Sequence, residues 1–347
     1  MTELRVRRDD LAVCELVEGE PSRERLGEGE AQLLVERFAL SANNITYAIK
    51  GEELGYWRLF PAPLGWGVIP AWGYARVVGS RSPSLLEGQR VFGLVPMGTR
   101  FTVRPAAHPL GFVDASSHRT ELARAYNQYL AVGDEASETA LVMRPLFVTS
   151  VLLDVSLSEE APYRVILTSA SSKTAYGLAH LRSERPAQTI GLTSAGRVAW
   201  VESLGLYDAV LAYGDLGDLR PEGSAVLVDF AGDRALVRRV HEQLGETLMR
   251  SILVGFTHAQ AEANTSSLPG PAPEVFFAPD EIVRRGRELG QRYDAAWERF
   301  AAVAERTVRI ERVTAGEQLV RLYLALLEGK TDPAAGYVVS LDPRPGD

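Results

Sequence analysis

The stretch from Tyr163 to Arg197 limits the fold of this chain more than any other part of the sequence. It begins with a short apolar run, residues 164–168, followed by five mostly small positions, 169–173. A helical pattern comes next, and a second apolar run covers residues 188–192. A strand, a tight turn, a helix and a parallel strand within about 30 residues form a βαβ unit, the smallest nucleotide-binding element.

The same alternation continues beyond this unit and predicts a parallel, doubly wound sheet of the Rossmann type. Strands that are apolar throughout are typical of a sheet that is buried on both faces. The predicted strands are 164–168, 188–192, 209–213, 225–230 and 249–256, and the predicted helices are 173–183, 197–204 and 233–244.

The first 130 residues have a different pattern. Short strand-like runs alternate with Gly- and Pro-rich turns, which indicates a small barrel-like β domain. Residues 121–130 have apolar side chains at helical spacing, and we expect a helix there. After the polar, Pro-rich segment 261–273, the pattern predicts a long helix over about 280–305, then a strand, a helix and a final strand.

Composition excludes several classes of protein. A net charge of −8 and a pI near 5.4 argue against a general nucleic-acid binder. The single cysteine, Cys14, rules out an internal disulfide and a multi-cysteine metal site, so a cytoplasmic setting fits best. We expect no signal peptide, since no hydrophobic core follows the charged N-terminal residues, and we expect no membrane span, since no apolar run approaches roughly 18 residues.

The order of these parts resembles the medium-chain dehydrogenase/reductase superfamily across essentially the whole chain. The residues that carry this resemblance are 34–43, 87–93, the Rossmann block and 328–330. More specifically, the chain resembles the DUF2855 family. The segments that carry this second resemblance are 126–129, 144–147, 169–175 and 192–194.

The resemblance implies an α/β protein with two domains. One is a GroES-like β-barrel domain that carries the catalytic residues, made of 1–130 with 275–347. The other is a Rossmann domain that binds a dinucleotide, made of 131–274. The resemblance further implies the zinc-independent, quinone-reductase-like side of the superfamily, and a homodimer through the Rossmann sheet edge around 249–257.

The first turn of the βαβ unit departs from the usual glycine fingerprint. Ala170, Ser172, Lys173 and Ala175 stand where glycines or small residues are expected. Serine hydroxyls and the start of a helix can still donate to a phosphate, and a lysine adds positive charge. The alternative is a Rossmann-like turn that no longer binds a dinucleotide.

The second turn favours NADP(H) over NAD(H). An NAD site normally has a carboxylate after the second strand, whereas this chain has Thr193, Ser194 and Arg197. A guanidinium group matches the geometry of a 2′-phosphate; the alternative is that Arg197 begins a solvated helix face. The predicted cofactor-binding residues are Ser169, Ala170, Ser171, Ser172, Lys173, Thr174, Thr193, Ser194, Arg197, Tyr213, Phe230, Gly255 and Phe256.

The candidates for polarising a substrate carbonyl or donating a proton are few, because the five histidines have no metal-ligand spacing and we expect no metal. We select Asn43, Tyr47, Tyr56 and Tyr126, since tyrosine can act as a general acid or an oxyanion donor. Each of these tyrosines could instead be a packing residue. The aromatic residues between 56 and 72 could line an apolar substrate mouth or fill the interior of a loop.

These observations predict a zinc-independent NADP(H)-dependent oxidoreductase that reduces a carbonyl or a conjugated double bond of a small, partly apolar molecule. We expect the substrate near residues 43–72 and 126–129, between the two domains. Two alternatives stay open. One is a lyase or hydratase on the same scaffold, and the other is a non-catalytic nucleotide-binding accessory protein.

Overall fold

The computed structural model of the chain describes residues 2–18, 26–255, 268–314 and 316–340. The chain divides into two compact units, Met1–Val142 with Val308–Asp347, and Met143–Thr307. The predicted boundaries at 130 and 275 differ from this division. Residues 131–142 belong to the first unit, and residues 275–307 belong to the second.

In its described residues, the N-terminal part of the first unit has ten strands and two short α-helices. The strands are β1 (Thr2–Arg7), β2 (Cys14–Glu18), β3 (Ala31–Leu40), β4 (Trp66–Gly67), β5 (Pro70–Ser80), β6 (Arg90–Pro96), β7 (Arg100–Val103), β8 (Pro105–His108), β9 (Gly111–Asp114) and β10 (Gln128–Ala131). The helices are α1 (Ala42–Ile49) and α2 (Arg124–Asn127).

The second unit has the predicted alternation of strands and helices. A long helix, α3 (Glu138–Ser158), leads into it. The strands are β11 (Arg164–Leu167), β12 (Gln188–Thr193), β13 (Ala209–Ala212), β14 (Ala225–Asp229), β15 (Leu248–Val254) and β16 (Glu274–Phe276). The helices are α4 (Lys173–Arg182), α5 (Val198–Ser203), α6 (Arg234–Leu244) and α7 (Ala278–Thr307).

The chain then returns to the first unit with β17 (Arg309–Thr314), α8 (Glu317–Leu327) and β18 (Ala335–Ser340). Through β18, which pairs with β3, this segment joins a nine-stranded sheet in the order β17-β18-β3-β5-β6-β10-β9-β8, with β7 also paired to β3. A separate three-stranded sheet has the strand order β2-β1-β4. Among the strands that the structure describes, the larger sheet ends at β17 and β8, so the GroES-like barrel stays a prediction.

The six strands that the structure describes in the second unit form one parallel sheet in the order β13-β12-β11-β14-β15-β16. The first five strands in chain order lie within two residues of their predicted bounds, and the parallel pairing is confirmed. The strand order reverses between β11 and β14, as in dinucleotide-binding sheets, which bind ligands at that point. Apolar side chains of β11, β12, β14 and β15 pack with α6 in the core of this unit.

The sheet edge that was expected around residues 249–257 is not an edge. The strand β16 pairs with β15 from Ile252 to Val254 and is itself the last strand of the sheet in the described residues. The reason is the return of the chain after residue 268, which the Pro-rich sequence did not reveal. The homodimer stays a prediction.

Aromatic packing explains why residues 278–307 belong to the second unit rather than to the first. The ring of Phe300, on α7, stacks on Phe147 at 4.3 Å between centroids, and Trp297 meets Phe147 edge-on at 5.8 Å. Phe300 and Phe147 are both fully buried. Removing apolar surface from water stabilises the folded chain by about 25 cal/mol per Å², so the burial of large aromatic rings contributes several kcal/mol.

Two expectations about the helices are wrong. The residues 121–130 do not form one helix, because only 124–127 are helical and 128–131 pair with both β6 and β9. In addition, no membrane-spanning segment was expected, but α3 is long and apolar enough to span a membrane by length and composition. Since 72% of its apolar window is buried in the structure, it meets the description of a core helix.

Candidate functional site

A capped helix start places two of the predicted catalytic residues on one face of α1. Ser41 is the N-cap; its Oγ accepts from the amide of Asn43, and its own amide donates to Asn44 Oδ1 at 2.8 Å. This reciprocal arrangement is a capping box, which fixes the first turn. Asn43 and Tyr47 are four residues apart, so their side chains are neighbours on the helix surface.

The Tyr47 hydroxyl accepts two hydrogen bonds. Asn43 Nδ2 donates to Tyr47 Oη at 2.7 Å, and Trp72 Nε1, from β5, donates to the same oxygen at 3.0 Å. Tyr47 is 6% exposed, whereas Asn43 and Trp72 are half-buried. Stacking on Phe92 at 5.4 Å holds the indole ring in place.

Tyr56 and Tyr126 lie next to this group. Their hydroxyls are 2.7 Å apart and share a hydrogen bond, and the Tyr56 ring is 4.5 Å from that of Tyr47. The structure therefore brings the four predicted catalytic residues together in the first unit, although they come from α1, a 3₁₀ turn and α2. We call these four residues and Trp72 the tyrosine cluster.

Burial is the main influence on the pKa values of Tyr47 and Tyr56 in the tyrosine cluster. It raises the pKa of Tyr47, an effect that the hydrogen bonds from Trp72 and Asn43 partly oppose. Burial also raises the pKa of Tyr56, reinforced by Tyr126 and Tyr47. Both phenols are therefore neutral at physiological pH, and they can act as hydrogen-bond donors without ionising.

The 3₁₀ turn that carries Tyr56 also carries Trp57, whose ring fits a slot formed by two glycines. A Cβ atom added at Gly51 would lie 2.0 Å from the Trp57 ring, and one at Gly67 would lie 2.4 Å from it. Trp57 thus forms a fixed wall of an open cavity of about 410 Å³. The other lining residues are Arg8, Arg58, Pro61, Ala62, Ser117, His118, Thr120 and Glu121.

In the second unit, the turn after β11 is a compact serine-rich loop. Ser169 has a left-handed backbone with φ of 48°, a conformation that favours glycine. The Ser169 amide donates to Tyr213 Oη at 3.1 Å, so it is already occupied. Ser172 is the N-cap of α4, and its Oγ accepts from the Ala175 amide at 3.3 Å. Ala170 is fully buried.

A buried network joins the ends of β11 and β14, where the strand order reverses. Thr168 Oγ1 donates to Asp229 Oδ1 at 2.5 Å and accepts from the amides of Phe230 and Ala231 at 2.9 and 3.1 Å. The Gly232 amide donates to Asp229 Oδ2 at 3.2 Å. Burial raises the pKa of Asp229, against the effect of these hydrogen bonds.

The second predicted cofactor turn follows β12. Thr193 is the last residue of that strand and is 1% exposed, whereas Ser194 is exposed. Arg197 is half-buried at the end of a 3₁₀ turn, residues 195–197. Of these three side chains, Ser194 and Arg197 are accessible from solvent.

The remaining predicted cofactor residues also follow strands. Tyr213 comes after β13, Phe230 after β14 and Gly255 after β15. Because the carboxyl ends of parallel strands meet at one edge of a sheet, the described members of the predicted set lie at that edge. Phe256 lies outside the described residues.

Thr168 and Asp229 were not predicted as site residues, and Trp72 was predicted only as a possible lining residue of a substrate mouth, not as a partner of Tyr47. Trp72 bonds to Tyr47 across a strand–helix contact, which no local sequence pattern reveals. Thr168 and Asp229 end apolar strands, and a polar residue at that position was an available signal. In the described ranges, no three His, Cys, Asp or Glu side chains group in a way that could hold a metal ion.

Solved structures show the same fold over nearly the whole chain. CurA from Vibrio vulnificus, in complex with NADPH, is 14% identical, with a TM-score of 0.69 over 99% of this chain and 100% of that chain. Mycobacterial Rv1454c, complexed with NADPH, is 16% identical, with a TM-score of 0.65 over 98% and 100%. A quinone oxidoreductase of Pseudomonas syringae is 14% identical, with a TM-score of 0.64 over 98% and 99%.

At these identities the likeness concerns the fold. No curated protein sequence matches the chain significantly. Residues 38–332, a range that includes most of both units, match the family described as "Protein of unknown function (DUF2855)". The chain therefore belongs to the DUF2855 family.

Proposed function

We propose that this chain is a zinc-independent, NADP(H)-dependent oxidoreductase that reduces a carbonyl or a conjugated double bond of a small, partly apolar substrate. In this proposal the first unit is the GroES-like catalytic domain and the second is the dinucleotide-binding domain. The observation that carries it is the six-stranded parallel sheet whose order reverses between β11 and β14. The NADPH in the Vibrio and mycobacterial structures supports the same cofactor.

The turn after β11 fits a phosphate group, although its glycines are missing. Ser172 Oγ accepts from the Ala175 amide, and this leaves the hydroxyl proton available for donation. The first-turn amides of α4 have no intrahelical acceptor, and the helix start carries partial positive charge. Ser172, Lys173 and Thr174 are therefore the residues that would hold the pyrophosphate, with Ser169 and Ser171 flanking them.

The residues after β12 fit a 2′-phosphate better than a free ribose hydroxyl. No carboxylate follows this strand, and the accessible side chains there are Ser194 and Arg197. A guanidinium can form two parallel hydrogen bonds to a phosphate. This is the basis for choosing NADP(H) over NAD(H).

When bound, the nicotinamide supplies a hydride, and the protein supplies position and electrostatics. In the first unit, Asn43, Tyr47, Tyr56 and Tyr126 are the proposed catalytic residues. The neutral phenols of Tyr47 and Tyr56 can stabilise negative charge that develops on a substrate oxygen. The apolar surroundings of these phenols suit a small, partly apolar molecule.

Isothermal titration with NADPH and NADH tests the cofactor assignment. We expect NADPH to bind with a Kd in the micromolar range and NADH to bind more weakly. Absence of binding of either dinucleotide at millimolar concentration would overturn the proposal. Tight binding of NADH with weak binding of NADPH would keep the redox function but remove the 2′-phosphate assignment.

A further inference from the structure

The direction of the hydrogen bonds at Tyr47 distinguishes it from the other tyrosines of the cluster. Both groups that form hydrogen bonds with its hydroxyl oxygen are N–H groups, Asn43 Nδ2 at 2.7 Å and Trp72 Nε1 at 3.0 Å. An indole nitrogen can only donate, and an amide NH₂ group likewise only donates. The Tyr47 oxygen is therefore the acceptor in both bonds.

A phenolic oxygen has two lone pairs and one proton. With both lone pairs occupied, Tyr47 still has its proton to donate. Over the described ranges of the chain, no protein acceptor receives that proton. Tyr56 and Tyr126 differ, because at 2.7 Å one of their hydroxyls donates to the other.

From this arrangement we infer that Tyr47 is the residue that donates a hydrogen bond to the substrate, and that the substrate atom it meets is a carbonyl oxygen. This assignment narrows the proposed role of Asn43: like Trp72, it is a positioning residue, since both act through Tyr47 by orienting its proton away from themselves. The redox part of this assignment rests on the proposed function, whereas the binding of a carbonyl oxygen does not.

The role of Tyr47 is donation rather than proton transfer. Burial raises its pKa, which disfavours a tyrosinate. A neutral donor whose orientation is fixed in advance stabilises an oxygen as that oxygen gains negative charge, and it needs no reorganisation. The preferred substrates are then conjugated carbonyl compounds and ketones, rather than alkenes or imines that lack such an oxygen.

Isotope-edited infrared spectroscopy of the apo protein tests this assignment without turnover. The probe is 2-cyclohexenone labelled with ¹³C at the carbonyl, because a hydrogen bond lowers the stretching frequency of that group. We expect a lower frequency in wild type than in Tyr47→Phe, and about three- to tenfold weaker binding in the variant, as for the loss of one hydrogen bond. Tyr163→Phe, a half-exposed tyrosine of the second unit, is the matched control and should behave as wild type.

Two further variants test the direction of the bonds. In Asn43→Asp a carboxylate replaces the donor and accepts the Tyr47 proton, so the carbonyl frequency should rise as far as in Tyr47→Phe. In Trp72→Phe one lone pair of the phenol is freed, and the frequency should lie between the two. A merely structural role of Trp72 would change the melting temperature without moving the band.

The outcomes separate this inference from the proposed function. An identical band in wild type and Tyr47→Phe, an unchanged band in Asn43→Asp, or no bound enone at saturating concentration would each overturn the assignment of Tyr47. A shifted band in a protein that binds no NADPH would instead leave Tyr47 in place and remove the redox function.

Discussion

Two buried hydroxyls, Tyr47 in the first unit and Thr168 in the second, are bonded in opposite ways. Thr168 accepts from two amides and donates its proton to Asp229, so all of its positions are filled by the protein. Tyr47 accepts two N–H groups, and none of the described residues accepts its proton. Solvent exposure does not explain this difference in bonding, since Tyr47 is only 6% exposed and Thr168 is fully buried.

The difference shows that burial alone does not identify a functional polar group. A hydroxyl with every position filled by the protein holds two strand ends together. A hydroxyl that only accepts hydrogen bonds from the protein can still donate its own proton to a ligand. We therefore expect the first to matter for stability and the second for activity, and the predictions below test this separation.

The largest effect is expected for Tyr47→Phe on catalysis. Removal of one oriented donor to a developing oxyanion should lower kcat/KM for enone reduction by about 10²- to 10³-fold. The Kd for NADPH should not change, and the free energy of unfolding should fall by only about 1 kcal/mol. Steady-state kinetics at 340 nm, NADPH titration and urea unfolding measure the three quantities. An unchanged kcat/KM would place Tyr47 among the packing residues.

Thr168→Val tests the other side of the comparison. The variant keeps the shape but leaves the Phe230 amide without its acceptor and removes the hydroxyl that donates to Asp229 Oδ1, both in a buried site. We expect the free energy of unfolding to fall by about 2–4 kcal/mol. Thr120→Val, at an exposed threonine, is the control and should change stability by less than about 0.5 kcal/mol. Equal stability of the two variants would show that the Thr168 network does not hold the fold.

Arg197→Ala tests the side chain that is proposed to bind the 2′-phosphate in the second unit. Loss of a charge-assisted contact to the 2′-phosphate should weaken NADPH binding about tenfold or more and leave NADH binding nearly unchanged. Arg321→Ala, an exposed arginine of the first unit that pairs with Glu317, is the control. Equal weakening of both cofactors by Arg197→Ala would contradict the 2′-phosphate assignment. Calorimetric titration provides both affinities.

The smallest effect is expected for Glu36, a carboxylate whose bonds, like those of Thr168, are made within the protein. Burial alone would raise its pKa, but Arg90 and Arg76, both at 2.7 Å, lower it below the ordinary value of 4.5. The contribution of Glu36 to stability is thus present above about pH 4.5 and is lost as the pH falls through the lowered value. Glu36→Gln should reduce this acid-induced loss, which urea unfolding at a series of pH values measures.

Asp229 should show the opposite dependence, because burial raises its pKa. Its contribution is present below the ordinary value of 3.8 and is lost as the pH rises through the raised value. If Glu36→Gln left the loss of stability at low pH unchanged, Arg76 and Arg90 would not stabilise the ionised carboxylate of Glu36. The expected difference between Glu36 and Asp229 would then be wrong.

The second unit was predictable from sequence because its signals are local. Continuous apolar strands such as 164–167 and 225–229 are bounded by turns, and each segment has a single period. The first unit was harder to predict. The residues 128–131 have helical spacing but become a strand, since two neighbouring strands offer hydrogen bonds to their backbone.

The candidate site was predictable in its residue types but not in its bonds. Asn43 and Tyr47 could be paired from their four-residue spacing on a helix. The contact of Trp72 with Tyr47 could not, because it joins a strand and a helix through tertiary packing. The direction of a hydrogen bond, on which the role of Tyr47 depends, has no sequence signal.

The measurement that tests the proposed function most directly follows NADPH absorbance at 340 nm and product together, with a panel of small enones and ketones. The account predicts that one NADPH is consumed for each saturated ketone or alcohol formed, for at least one member of the panel. Product formation without NADPH consumption would indicate a lyase or hydratase and would contradict the account. Binding of NADPH with no consumption across the panel would contradict it equally and would indicate an accessory protein.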